Sequence, residues 1–292
     1  MTLPLNLTIV RHGQSEANLV QKFVKAGQGK QLPNHIEDLD RLFNSHDSIM
    51  RLSVEGARQA QIAGEWLRNP ELNTDTHNFG RFYVSPHVRT RETAAHLQLG
   101  GDWLVDDRLR ERDWGEVSNP SENFTSGISE VSQKVRDQNA WYWKPQGGES
   151  LATGVRSRVE SILESLHRRG DHLQSALLVA HGEFISVARF VIEKMTPDQF
   201  AREDSSPDFK VENTMIVQYS RQNPNDVNDI RKRYHWRRAV CPWDAERSWS
   251  NGEWVEFNPS KFSDEQLLSF AESHDRLFKS DFNLEIDSID KV

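Results

Sequence analysis

Residues 7–18 read LTIVRHGQSEAN, an apolar, β-prone run that passes directly into Arg11, His12 and Gly13. The same transition recurs at 177–184, LLVAHGEF, which delivers His181 and Gly182, while SPHVR at 85–89 contributes Arg89. Arginine forks match the oxygens of a phosphoryl group bidentately and stay charged at any physiological pH. A neutral imidazole can attack phosphorus and carry the group as phosphohistidine, which divides one difficult displacement into two. A second histidine, if protonated, and the amides of a helix starting at Gly182 would add positive potential where the transferring group carries charge. The leaving alkoxide then needs a proton, which a carboxylic acid of raised pKa can supply.

Such residues act together only if the elements carrying them end at one place. Strands are expected over 5–10, 81–84, 176–180 and 214–219. Helices are expected over 53–67, behind a Ser N-cap, and over 90–99, 151–169 and 183–195. Strands followed by helices at this rhythm imply a largely parallel sheet covered on both faces, whose ligands bind at the carboxyl ends of the strands. Three strand ends thus bring two histidines and two arginines to one edge. The His-Gly steps fit, because glycine lets a ligand approach the backbone.

The chain has 292 residues, 36% of them hydrophobic, and a formal charge of -8. That is enough for one large domain or two small ones, and there is no overall basic field to draw nucleic acid or an anionic membrane. The single cysteine, Cys241, excludes an intrachain disulfide and a thiol-based zinc site, and a small buried side chain is expected there. MTLPLNLTIV lacks the features of a secretion signal and no run of about 18 apolar residues occurs, so a soluble cytoplasmic protein is expected. The sequons at Asn6 and Asn123 are then accidental.

Arg11-His12-Gly13-Gln14-Ser15-Glu16-Ala17-Asn18 resembles the signature of the histidine phosphatase superfamily, phosphoglycerate mutase-like branch. LSVEGARQA at 52–60, SPHVRTRETA at 85–94, LRERDWGE at 109–116, GGES at 147–150 and LLVAHGEF at 177–184 follow in the family's order, so the likeness runs from about residue 5 to 220. It implies an α/β fold, a three-layer αβα sandwich with a mostly parallel central sheet. It further implies that His12 is the phospho-accepting nucleophile and that Arg11, Arg89 and His181 hold the phosphoryl group. Glu111 would donate the proton and then activate water, in preference to its neighbours Asp113 and Glu116. Ser15 and Asn18 match positions that help bind phosphate or the adjoining substrate atoms, and Gly182 opens the helix behind His181.

Other polar residues read as structural. Glu149 is expected to anchor a loop, Ser150 to cap the following helix, Arg156 and Arg158 to lie at the surface or in salt bridges, and His87 to be an exposed loop residue. The catalytic domain is expected over 1–221, with insertions at about 19–50 and 117–146, where the family forms the lid that reads the rest of the substrate. Lys22, Lys25 and Lys30 are expected on a solvated loop. Residues 222–292 are expected to pack on the same domain through their tryptophans, with a capped helix over 263–278. RKRYHWRR, five basic residues in eight, could grip nucleic acid, although packing is the favoured reading.

The expected activity is hydrolysis of a small phosphomonoester, so the partner is a small phosphorylated metabolite. Neither cofactor nor metal is expected, since arginines supply the charge and the histidines lack close ligand spacing. The sequence does not assign an oligomeric state. A phosphoglycerate-type mutase is the alternative, disfavoured because GEVSNP lacks the Tyr-Gly-Leu pattern usual in mutases, and a non-catalytic binding protein on the same fold is disfavoured because Arg11, His12, Arg89, Glu111 and His181 are all present.

Overall fold

The computed structural model describes residues 2–25, 46–73, 79–115, 134–136, 139–168 and 174–276. Most of the two expected insertions, with Lys30 and Glu116, lies outside the described residues, as does the side chain of Lys25.

The first strand, β1 (Asn6–Arg11), occupies the middle of a seven-stranded sheet. It pairs in parallel with β4 (Ser175–Ala180), which pairs in parallel with β2 (Arg81–Val84), which pairs in parallel with the short β3 (Trp103–Val105). On its other side β1 meets β5 (Ile216–Ser220) antiparallel, followed by β8 (Trp236–Val240) and β9 (Val255–Glu256). A separate hairpin joins β6 (Gln222–Asn223) to β7 (Asp226–Ile230).

Strand alternation sorts the core into two layers. Leu7 and Ile9 of β1 and Ala176, Leu178 and Ala180 of β4 pack with Val159, Ile162 and Leu166 of α4 (Arg156–Arg168) and Phe184 and Ile185 of α5 (Gly182–Glu193). Val10, Leu177 and Val179 face the opposite way, onto Ala63 and Leu67 of α2 (Val54–Arg68) and Ala94 and Leu97 of α3 (Val88–Leu97). Helices therefore cover both faces of a mostly parallel sheet, the expected α/β architecture. Side chains cap these helix starts: the Ser53 hydroxyl accepts from Gly56 N for α2, and Ser150 accepts from Thr153 N ahead of α4. The first five residues of the expected 151–169 helix, Leu151–Val155, form a wider π turn before the α-helix begins.

Residues 222–259 belong to the same compact unit as the sheet, and residues 260–292 form a second unit. The tryptophans of the former are packed. Trp236 and Trp249 are buried, and the indoles of Trp243 and Trp249 donate to Asn213 O (2.8 Å) and Lys210 O (3.1 Å). The basic run divides: Arg231, Lys232 and Arg233 are exposed, while its last two arginines turn inward. Arg237 pairs with the buried Glu193 at 2.6 Å, and Arg238 bonds Gln218 while lying between the rings of Trp66 and Trp254. In the second unit, α6 (Asp264–Glu272) carries a capping box between Ser263 and Gln266. Among the described residues no helix is long and apolar enough to cross a membrane.

Candidate active site

At the carboxyl end of β1 the chain turns through His12-Gly13-Gln14 against the first turn of α2. A Cβ on Gly13 would overlap the carbonyl oxygen of Gly56, and one on Gly56 would overlap that of Gln14, so both positions need glycine for this approach. Gly13 N donates to Thr93 Oγ1 at 3.0 Å, Gln14 N to Gln59 Oε1 at 3.1 Å, and Ser53 N to Gln14 O at 2.8 Å. Sequence reading did not single out Thr93, Gln59 or Gly56. They sit in the matched motifs, but as ordinary helix residues.

The turn fixes His12, which is buried. Its Nδ1 lies 2.7 Å from the carbonyl oxygen of Gly13, and its Nε2 faces the Nε–H of Arg89 at 3.2 Å. A carbonyl can only accept and a guanidinium can only donate, so these partners assign the proton to Nδ1 and leave a lone pair on Nε2. Burial first, then the charges of Arg89 and Arg11, hold His12 well below the ordinary imidazole range.

His181 precedes α5 with its ring 5.2 Å from that of His12. Its Nε2 lies 2.8 Å from Ser85 Oγ, and its Nδ1 accepts from Arg89 Nη2 at 3.3 Å. Burial and Arg89 push it well below the imidazole range, so it is neutral here and does not carry the positive charge considered from sequence. Arg11 donates through Nη1 to Val211 O at 2.6 Å, whereas its buried Nε–H has no hydrogen-bond partner among the described residues. That nitrogen borders Gly182, as an added Cβ there would lie 3.4 Å from it. An orphaned buried donor beside a helix start suits an anionic oxygen.

Glu111 completes the cluster, with Oε2 3.8 Å from His181 Nδ1 and Oε1 accepting from Arg112 N at 3.0 Å. Burial raises its pKa, against the pull of Arg89. Asp113 is exposed and turned to Gly115 N, so the described alternative carboxylate stands away from the histidines. The backbone carrying Glu111 is pinned from α4. Arg158 donates to the carbonyls of Arg108 (2.9 Å) and Arg110 (2.8 Å) and to Glu149 Oε2 (2.7 Å), and Glu149 in turn accepts from Asp113 N and Arg110. Glu149 is thus a loop anchor and Arg158 a buried strut, while Arg156 makes an exposed pair with Glu160. Arg112 is buried, stacked between Trp114 and Trp143, with Nη1 3.4 Å from Glu183.

Ser15 and Asn18 sit farther along, bracing the start of α1 (Glu16–Lys25). Asn18 N donates to Ser15 Oγ at 3.2 Å, while Asn18 Oδ1 accepts from Ser15 N and from Asn213 Nδ2. His87 corrects the expectation of an exposed loop residue. It is buried at the N-cap of α3, its ring 4.7 Å from that of His181, and burial lowers its pKa to about 4. Cys241 is buried and unpaired, with its thiol pushed up to about 12.

A model of the histidine phosphatase superfamily, branch 1, matches residues 7–223. The chain belongs to that superfamily. Among curated relatives of this chain, a 2,3-bisphosphoglycerate-dependent phosphoglycerate mutase of Brucella melitensis is 27% identical over 210 residues, covering 68% of this chain and 86% of the relative. Its Brucella ovis counterpart is 26% identical over the same span. A mycobacterial glucosyl-3-phosphoglycerate phosphatase superposes with a TM-score of 0.54 at 21% identity, covering 78% of this chain and 96% of its own. A phosphoserine phosphatase of Entamoeba histolytica gives 0.54 at 17% identity, covering 75% and 91%. An alpha-ribazole phosphatase of Shigella flexneri gives 0.53 at 17% identity, covering 78% and 95%. At such identities the structural likeness is one of fold.

Proposed function

We propose that the protein is a phosphatase that hydrolyses a small phosphomonoester through a phosphohistidine on His12. The observation that carries this reading is the state of His12: Nδ1 donates to Gly13 O, so the Nε2 lone pair faces Arg89 and stands beside His181. In the first step Nε2 attacks phosphorus, the bond from phosphorus to the ester oxygen breaks, and Glu111 gives its proton to that oxygen. Burial of Glu111 suits it to hold that proton. In the second step the Glu111 carboxylate takes a proton from water, the water oxygen attacks phosphorus, and the phosphorus–nitrogen bond breaks to release phosphate and restore His12. Arg89 and Arg11 neutralise charge on the transferring group throughout. Phosphatases of this fold act on glucosyl-3-phosphoglycerate and phosphoserine, which supports a small phosphorylated metabolite as substrate class.

Mutase activity is the second reading, favoured by the Brucella mutase relatives. There the phosphohistidine returns its phosphate to another hydroxyl of the bound sugar acid instead of to water. The deciding experiment measures phosphate release in EDTA by the wild type and His12→Ala across sugar phosphates, phosphoamino acids, nucleotides and phosphoglycerates, with phosphoglycerate isomerisation assayed alongside. Release lost in the variant is expected. Isomerisation without release would establish the mutase, and undiminished release in the variant would remove His12 from the chemistry.

A further inference from the structure

Arg89 spends every donor it has. A guanidinium carries five N–H groups. Here Nε donates to His12 Nε2 at 3.2 Å, and Nη1 donates to the carbonyl oxygen and Oδ1 of Asp47 at 2.6 and 3.1 Å. Nη2 donates to Asp47 Oδ2 at 2.8 Å and to His181 Nδ1 at 3.3 Å. The end of the fork thus belongs to Asp47, and its flank, Nε with Nη2, faces the two histidines. Asp47 is itself held in place. It opens a single tight turn, Asp47–Ile49, followed by buried Met50 and Leu52, and Glu92 of α3 accepts from Leu52 N at 2.9 Å and pairs with Arg51. One helix therefore grips this segment at two places, through Arg89 and through Glu92.

We propose that Asp47 is a positioning residue for phosphoryl transfer, whose carboxylate fixes the Arg89 fork so that its Nε–Nη2 flank meets the phosphoryl oxygens between His12 and His181. An entering phosphoryl oxygen displaces the weaker partners of Arg89, two neutral ring nitrogens, while the charged bidentate bridge at the other end persists. Without Asp47 the long side chain regains rotamers and loses its aim.

The proposal rests on the phosphohistidine reading, and its test separates the two. Asp47→Ala and Asp47→Asn are compared with the wild type for kcat and KM on nitrophenyl phosphate, for orthovanadate and inorganic phosphate binding by calorimetry, and for melting temperature. Asp47→Ala is expected to lower kcat roughly tenfold to a hundredfold with KM little changed. Vanadate binding should weaken in parallel and Asp47→Asn should fall between, since it keeps one acceptor, whatever the loss in melting temperature from unpairing the buried Arg89. Unchanged or higher kcat/KM with tighter phosphate binding would overturn the proposal and make Asp47 a competitor for Arg89. Equal losses in both variants with a lowered melting temperature would overturn it in favour of a purely structural role. If the wild type binds vanadate but releases no phosphate from any ester, the enzymatic reading fails, and the vanadate affinities of the variants still decide the role of Asp47.

Discussion

Glu111 Oε2 stands 3.8 Å from His181 Nδ1, and the surroundings drive both groups toward their neutral forms. Burial raises the carboxyl's pKa and lowers the imidazole's, so relative to the free groups the site favours a proton on the acid and disfavours one on the histidine. The pocket's positive charge then comes from Arg89 and Arg11 alone among these groups. That arrangement offers an anionic ester two fixed cations beside an acid whose proton burial helps to hold.

The pH dependence of kcat/KM should follow from these directions. On the phosphohistidine reading His12 must be neutral to attack, and its lowered pKa places the acid limb below the ordinary imidazole value of about 6.5. Glu111 must be protonated to donate, and its raised pKa places the alkaline limb above the ordinary carboxylate value of about 4.3. Steady-state rates from pH 3 to 9 on an alkyl phosphate check this, and an acid limb at or above 6.5 would contradict the assignment of His12.

Replacing Glu111 by Gln removes the proton without removing the side chain. Alkyl phosphates, whose leaving oxygen needs protonation, should lose about 10²–10⁴-fold in kcat, and nitrophenyl phosphate far less. Equal losses on both substrates would assign Glu111 a structural part.

Arg158 joins α4 to the backbone carbonyls just before Glu111 and pairs with Glu149 at 2.7 Å. Arg158→Met should destabilise by about 3 kcal/mol, because Glu149 loses one of its two arginine partners while two carbonyls lose their donor. Urea unfolding measures the cost. The surviving folded protein should also show a lowered kcat, since the loop holding Glu111 is no longer tied down.

Acid and alkali should each weaken the fold through a different group, the buried His87 and the half-buried Glu183. His87 has a folded pKa of about 4, so as pH falls from about 6.5 toward 4 the unfolded chain takes up a proton that the folded one refuses, and stability declines. Glu183 runs the other way. Raised to about 8, it contributes fully below about 4.3 and its contribution is lost as pH rises toward 8. Melting temperatures of His87→Gln should fall less steeply toward acid than those of the wild type, and Glu183→Gln should gain stability at pH 8 relative to pH 5.

Much of this was visible in the chain. Apolar strands running into Arg-His-Gly and into His-Gly located both histidines, and the structure brings them 5.2 Å apart, centroid to centroid. Three features were hidden. Asp47 meets Arg89 from 42 residues away, and no periodicity marks a contact made by one short turn. His87 looked like a loop residue because the turn into α3 folds it back over His181, which only the tertiary arrangement reveals. RKRYHWRR is expected to pack, but its letters do not say which arginine goes inside: Arg231, Lys232 and Arg233 stay exposed, whereas Arg237 is buried against Glu193 and stacked on Phe209 and Trp249. A partner carboxylate and two rings allow an arginine to lie inside a strand, and neither can be seen from the arginine itself.

The pairing of β8 with β5 has a consequence for solubility. All five residues of β5 are buried, and Ile216 through Ser220 are matched one to one by Val240 through Trp236. Cut after residue 221, the chain would present β5 as a long apolar edge with unanswered amides, the kind of template on which other copies add strands. Residues 236–240 therefore act as a built-in guard against aggregation, and the charged, two-residue β9 leaves a far poorer template at the new boundary.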